Sequence, residues 1–164
     1  MRRIQFLILP LALLTLSGCG GKPEFKKFTA KDGGFSVLFP GGNPERKTMR
    51  ANGIDLVAYG VTSKRWAFLV AWGDLPQGVG YDYNRGLRGI AGNFSGEITI
   101  NRPWSFAGNK GIEFQIKSKK PKGYVSGRLI VINRRVFQIT GMGNSETLSS
   151  SDVQKFLNSF ELTK

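Results

Sequence analysis

The chain has 164 residues and carries 24 lysines and arginines against 11 aspartates and glutamates, a formal charge of +13 at pH 7. It contains no histidine and a single cysteine, so it lacks internal disulfides, the usual general base of enzymes and the commonest transition-metal ligand. We therefore expect one domain held together by its apolar core, with no resident metal and no cofactor.

The first nineteen residues form the most specific motif. Two arginines precede an apolar run over residues 4–16, and two small residues then lead to Cys19. The run is too short to span a bilayer. The pattern resembles the signal peptide of bacterial lipoproteins, which implies removal of residues 1–18 and attachment of a diacylglyceryl group to Cys19. A plain secretory signal and an uncleaved N-terminal helix are the alternatives.

The same resemblance predicts where the protein resides. A lipid on Cys19 would anchor the chain to a membrane of the cell envelope. The next residue is Gly20 rather than an aspartate, which in such families favours the periplasmic face of the outer membrane in a cell with two membranes. Residues 19–32 are expected to be the lipidated cysteine and a tether, because this segment offers little apolar surface to bury.

Beyond the tether, strand patterns and turn signals alternate. The first predicted strand covers residues 35–39, and strands over 46–51 and 54–61 flank an Asn-Gly pair, which is a strong hairpin signal. Residues 66–72 carry apolar side chains on both faces. That pattern predicts a central strand covered on both sides.

Two helices complete the predicted elements. Apolar side chains recur at helical spacing from Tyr81 to Phe94, and again on the face that carries Val153, Phe156 and Phe160. Four more strands are predicted over residues 97–101, 110–117, 124–132 and 135–141. The elements predict one domain over 33–164 with an α+β fold: a mostly antiparallel β-sheet flanked by a mid-chain helix and a C-terminal helix.

This order of elements resembles the PsbP-like fold of photosystem accessory subunits and small bacterial envelope proteins. The likeness covers residues 33–162, opens with Phe-Ser-Val-Leu-Phe-Pro at 35–40, and is strongest over 127–128, 134–141 and 152–160. It implies an αβα sandwich and a non-enzymatic accessory, assembly or binding role. Metal sites of plant members use histidine, so the resemblance assigns no metal ligand here.

One turn concentrates positive charge. Lys117, Lys119, Lys120 and Lys122 lie within six residues, and Arg128 follows in the next predicted strand. This set is a candidate surface for anionic lipid headgroups, an envelope polysaccharide or an acidic envelope protein. The alternative is a solvated hairpin tip whose charges protect a sheet edge from aggregation.

The function we expect is that of a non-catalytic, lipid-anchored binding or assembly module, and not of an enzyme or a nucleic-acid-binding protein. Two alternatives stay open. One is a carrier of a small ligand, with a pocket lined by Tyr81, Tyr83 and Trp104. The other is a hydrolase that uses scattered carboxylates or a serine–lysine pair such as Ser118-Lys119, although adjacent strand residues point to opposite faces. No catalytic motif is complete.

Overall fold

A computed structural model describes residues 24–51, 54–64, 66–119, 122–144 and 150–163. The predicted signal peptide and Cys19 lie outside these residues, so cleavage and lipidation stay predictions. The elements, in chain order, are β1 (Phe25–Ala30), β2 (Phe35–Pro40), β3 (Glu45–Ala51), β4 (Ile54–Thr62), β5 (Trp66–Asp74), α1 (Tyr83–Asn93), β6 (Glu97–Phe106), β7 (Asn109–Lys119), β8 (Lys122–Ile132), β9 (Arg135–Gly143), α2 (Ser150–Asn158) and β10 (Glu161–Leu162).

The strands form two antiparallel sheets. The large sheet has seven strands in the order β3-β4-β5-β9-β8-β7-β6, and the small sheet has three in the order β1-β2-β10. The prediction of a mostly antiparallel sheet with a mid-chain and a C-terminal helix is confirmed. The separate small sheet was not predicted.

One face of the large sheet is covered by the small sheet and α2. Phe156 of α2 is fully buried between Phe39 of β2 and Phe68 of β5, with ring centroids 5.4 and 4.9 Å away. Removing one such aromatic side chain from water contributes about 1.5–3 kcal/mol to stability. This aromatic layer joins the small sheet, α2 and the large sheet into one core.

Helix α1 lies on the opposite face of the large sheet. Asp82 caps it, accepting a hydrogen bond from the Arg85 backbone N–H at 3.0 Å. Leu87 and Ile90 pack against β7 and β8. Gly86 has a steric reason, because a Cβ there would collide with the Tyr81 hydroxyl. Gly86 weakens α1 locally, but its lack of a side chain allows Tyr81 of the preceding loop to pack against the helix.

The structure corrects the predicted start of the domain. Residues 25–30 were assigned to the tether, yet they form β1 and pair with β2 along its whole length. The reason is the aromatic content of the strand: Phe28 packs on Phe39 at 5.9 Å and on Tyr59 at 4.7 Å, while the intervening lysines face solvent. The folded unit therefore includes Phe25–Ala30.

Candidate functional site

Several lysines meet at one end of the large sheet. Cα pairing places Trp66 at the start of β5 beside Gly143 at the end of β9, and Gly143 beside Tyr124 of β8. The β4–β5 turn and the β7–β8 hairpin therefore lie at the same end. We call this the basic end; it carries the exposed residues Lys64, Lys117, Lys119 and Lys122.

Three of these lysines share one face of the β7–β8 hairpin. Lys119 and Lys122 are cross-strand partners, and Lys117 is the partner of Tyr124. Side chains alternate along a strand, so these four residues project to the same side. We call Lys117, Lys119, Lys122 and Tyr124 the hairpin patch. Lys120 lies outside the described residues.

The ammonium groups of the hairpin patch have no ion-pair partner among the residues that the structure describes. Glu97 is the cross-strand neighbour of Lys117, but no carboxylate oxygen of a described residue comes within 4.0 Å of the three lysine nitrogens. Other cations are paired: Arg46 lies 3.0 Å from Asp32. The patch therefore offers positive charge to an external anion.

Tyr124 adds an apolar surface to this charge. Its side chain is 38% exposed, one of the largest exposures of a bulky apolar residue in the described chain. A tyrosine ring provides apolar area and a hydroxyl that stays hydrated, a combination common where one side of a surface is wet and the other is not. The patch is thus amphipathic as well as cationic.

The chain enters the fold at the basic end. The ring of Phe25 lies 6.4 Å from that of Phe68, two residues from the first residue of β5. From there β1 runs away from the basic end, toward the level at which Phe35 contacts Trp72. Phe25, the first residue of β1, therefore lies at the basic end.

Arg128 does not belong to the anionic-surface site, contrary to the prediction. Its side chain is only 8% exposed. The guanidinium donates to the Glu113 carboxylate at 3.0 Å, to the Leu157 carbonyl at 2.8 Å and to Asn158 Oδ1 at 2.8 Å. It also lies 4.6 Å from the centre of the Trp104 ring. These contacts attach the end of α2 to β7 and β8, so Arg128 is a packing residue.

Glu113 is held ionised by this arrangement. Burial acts to raise the pKa of Glu113, but hydrogen bonds from Arg102 and Arg128 outweigh it, so the pKa is lowered overall. Both arginines donate to the same carboxylate, one to each oxygen. The carboxylate is therefore neutralised on both sides and is a poor candidate for acid–base chemistry.

The three residues proposed to line a ligand pocket are not brought together. Tyr83 packs with α1, where its hydroxyl donates to the Lys110 carbonyl at 2.8 Å and accepts from the Val131 N–H at 3.0 Å. Burial raises the pKa of Tyr81, whose ring meets Tyr83 edge to face at 5.2 Å. Trp104 lies on the other face of the sheet, stacked on Phe106. These three residues therefore do not line a common pocket.

The nominated serine–lysine pair is also separated. The Ser118 hydroxyl is buried and donates to the Phe94 carbonyl at 3.2 Å. Lys119 is the next residue of the same strand and points to the opposite, exposed face. Its amine is therefore not placed to activate the Ser118 hydroxyl.

A cleft that the sequence did not suggest lies at the other end of the sheet. It has a volume of about 420 Å³ and is bordered by Gly33, Asp74, Arg134 and Arg135. Arg135 donates to both Asp74 oxygens, at 2.7 and 2.8 Å, and to the Gly33 carbonyl at 3.2 Å. These bonds engage Nε and both terminal nitrogens, so the guanidinium holds the β1–β2 turn to the sheet.

Two features are absent from the described part of the chain. No group of three or more histidine, cysteine, aspartate or glutamate side chains is placed there to hold a metal ion. Within the same residues, neither helix is both long and apolar enough to cross a bilayer.

A scan against protein-family models and a search of curated proteins give no match. Among solved structures, the chain is similar to the solution structure of cyanobacterial PsbP (CyanoP) from Synechocystis sp. PCC 6803, with a TM-score of 0.60 and 11% sequence identity. The match covers 91% of this chain and 98% of that chain. The domain has a PsbP-like fold. At this identity the likeness establishes the fold alone.

In this PsbP-like domain, Lys117, Lys119 and Lys122 of the predicted site are exposed and Arg128 is buried, while binding of an anionic surface stays a prediction. Lysines near a turn predict exposure because the tip of a hairpin projects into solvent. Arg128 lies six residues farther along β8, where α2 covers the sheet. The sequence signal that could have flagged it is the alternation with Ile130 and Ile132, which places Arg128 on an apolar face.

Proposed function

We propose that this protein is a lipid-anchored, non-catalytic accessory module of the cell envelope, and that its PsbP-like domain binds anionic partners through the basic end. The observation that carries the proposal is positional. Strand β1, the first described element after Cys19, begins at the same end that holds Lys117, Lys119 and Lys122. A lipid on Cys19 would keep this end close to the membrane surface.

The proposed anchor rests on the lipoprotein-like N-terminus. With a lipid on Cys19 and Gly20 following it, the protein would reside at the periplasmic face of the outer membrane in a cell with two membranes. Two or more acyl chains hold a protein at a bilayer for long times, because each buried CH₂ contributes about 0.8 kcal/mol. The lipid would thus keep the protein at the membrane, and the lysines would determine the orientation of the domain and its choice of partner.

The anionic-partner proposal is supported by the positive charge of the hairpin patch, whose lysines form no ion pair with a described carboxylate. A basic residue close to an anionic membrane contributes about 1 kcal/mol, and this decays within a Debye length of about 8 Å at physiological salt. Three lysines on one side of a hairpin would therefore contribute measurably to membrane binding when they lie within this distance of the surface. An envelope polysaccharide or an acidic protein would be attracted by the same charge.

The anchor is tested by mass spectrometry of the mature N-terminus, on protein extracted from membranes. The expected product begins at Cys19 and carries the mass of a diacylglyceryl group, with or without a third acyl chain. Cys19→Ser is the matched variant and should remain unprocessed. An unmodified Cys19 or a start at another residue would contradict the proposal.

The non-catalytic proposal has its own test. In the Ser118-Lys119 pair, the serine hydroxyl is bonded to the Phe94 carbonyl. We expect broad serine-reactive probes to leave the purified protein unlabelled, at the level of a Ser118→Ala control. Labelling that disappears in this variant would indicate a hydrolase instead.

A further inference from the structure

We propose that the hairpin patch is a membrane-contact surface that seats the PsbP-like domain, basic end down, on an anionic bilayer. This inference rests on the proposed lipid anchor at Cys19 and identifies the anionic partner as the bilayer that the anchor enters. It assigns Lys117, Lys119 and Lys122 to lipid headgroups, and Tyr124 to the boundary between headgroups and water.

The first support is the short reach between anchor and fold. Only residues 20–23 lie between Cys19 and Glu24, so the Cα atoms of Cys19 and Glu24 are at most about 18 Å apart when the chain is fully extended. The strand β8 has 11 residues, from Lys122 to Ile132, and is about 33 Å long at 3.3 Å per residue. A domain anchored in this way holds its basic end near the bilayer, while an upright orientation keeps the far end outside electrostatic range.

The second support is the chemistry of the patch. Lys119 and Lys122 face each other across the two strands, and Lys117 stands two residues away on the same side. Lysine stems lie along apolar surface while their ammonium groups reach the headgroups, and a tyrosine ring suits the same depth. Among the described residues, Glu97 is the cross-strand neighbour of Lys117 and offsets one of the three lysine charges.

The bilayer is favoured over a soluble acidic partner because the linker fixes which surface is nearby. An acidic protein or polysaccharide has to diffuse to the basic end, whereas the anchored bilayer is always within the reach of residues 19–24. The far end of the domain also carries exposed cations, Lys31, Lys110 and Arg134, so net charge alone does not choose the orientation. The anchor brings the basic end within reach of the headgroups, and the hairpin lysines then hold the domain in the seated orientation.

The experiment uses the full chain, purified in its lipidated form and reconstituted into vesicles. Spin labels on single introduced cysteines report the distance to the bilayer; Cys19 does not react, because its sulfur carries the lipid. Thr62→Cys places the label at the basic end, and Ser105→Cys at the far end, both at exposed positions. In vesicles that contain phosphatidylglycerol, we expect strong contact with a headgroup-bound relaxation agent at position 62 and weak contact at position 105.

Charge variants with matched net charge complete the test. Lys117→Gln/Lys119→Gln/Lys122→Gln removes the patch, and Lys31→Gln/Lys110→Gln/Arg134→Gln removes the same charge at the far end. Loss of three headgroup contacts corresponds to about a hundredfold shift from the seated to the lifted orientation. Of the two variants, we expect this shift only for the first. The unaltered chain should show the same shift in high salt and in phosphatidylcholine vesicles.

Three results would overturn the inference: equal contact at positions 62 and 105, equal behaviour of the two charge variants, or seating that survives in neutral vesicles. In each case the lipid on Cys19, measured by mass spectrometry of the same sample, would show that the anchor itself is intact. An unlipidated chain would instead refute the proposed function on which the inference rests. Loss of seating in the salt series provides a readout that needs no substitution in the hairpin.

Discussion

Arg128 donates a hydrogen bond to the carboxylate of Glu113 at 3.0 Å, and both side chains are largely buried, 8% and 12% exposed. The same guanidinium reaches the Leu157 carbonyl and Asn158 at the end of α2. The ion pair thus joins β8 to β7, and the other hydrogen bonds of Arg128 join both strands to the C-terminal helix. Its geometry turns a residue that looks like surface charge into part of the core.

Replacing Arg128 by alanine should destabilise the protein by about 3–5 kcal/mol, because it removes one partner of a buried pair and leaves α2 carbonyl and amide groups without donors. The measurement is the free energy of unfolding in urea. Arg102→Ala is the control: Arg102 also bonds Glu113 but is 66% exposed, so its loss should cost about 0–1 kcal/mol. Equal losses for the two variants would contradict the role assigned to Arg128.

Stability should fall in acid through Glu113 and Asp74. The pKa of Asp74 is lowered by hydrogen bonds from Arg135, and that of Glu113 is also below its usual 4.5. A carboxylate whose pKa is lower in the folded than in the unfolded state stabilises the fold at pH values above its unfolded pKa. This contribution is lost as the pH falls through its folded pKa. We expect the loss between about pH 5 and pH 2, measured by urea unfolding at several pH values.

Glu113→Gln separates the Glu113 contribution from the rest. The amide cannot titrate, so the variant should start less stable at pH 7 and lose less stability on acidification. If the free energy of unfolding fell with pH as steeply in this variant as in the unaltered chain, the ion pair between Glu113 and Arg128 would not contribute to the loss of stability in acid.

Gly86→Ala should destabilise the domain even though alanine is the better helix former. The new methyl group would collide with the hydroxyl of Tyr81, which is packed against α1. Overpacking of this kind costs about 1–3 kcal/mol. Gly92→Ala, in the same helix and with open space around its Cα, should instead stabilise by up to about 1 kcal/mol. Thermal unfolding of the two variants compares them directly, and a shift of the same sign in both would refute the steric explanation.

Phe28→Ala tests where the folded domain begins. A tether residue would tolerate this change, whereas a half-buried ring that contacts Phe39 and Tyr59 should cost about 1–2 kcal/mol. Lys27→Ala, the exposed neighbour whose partner Glu161 is also exposed, should change stability by less than about 1 kcal/mol. Chemical unfolding that does not distinguish the two variants would place β1 outside the cooperative unit.

Local patterns in the sequence determined most of the secondary structure. Alternating apolar residues predicted the strands, and helical spacing predicted α1 within two residues at its start and one at its end. The acidic cap at Asp82 follows from the same local chemistry. Positive charge at the β7–β8 hairpin was also visible, because residues beside a tight turn are exposed in almost any fold.

Tertiary structure decided what depends on residues distant in the chain. Phe28 becomes part of a strand because Tyr59, thirty-one residues later, covers its ring, and Arg128 is buried because α2 returns over β8. The alternation along β8 marks the apolar face that carries Arg128, but no local pattern encodes which element will cover that face, since that is settled by the collective packing of the apolar surfaces. The tertiary structure also decides where the hairpin lysines lie relative to the start of β1, because this depends on how the small sheet lies across the large one.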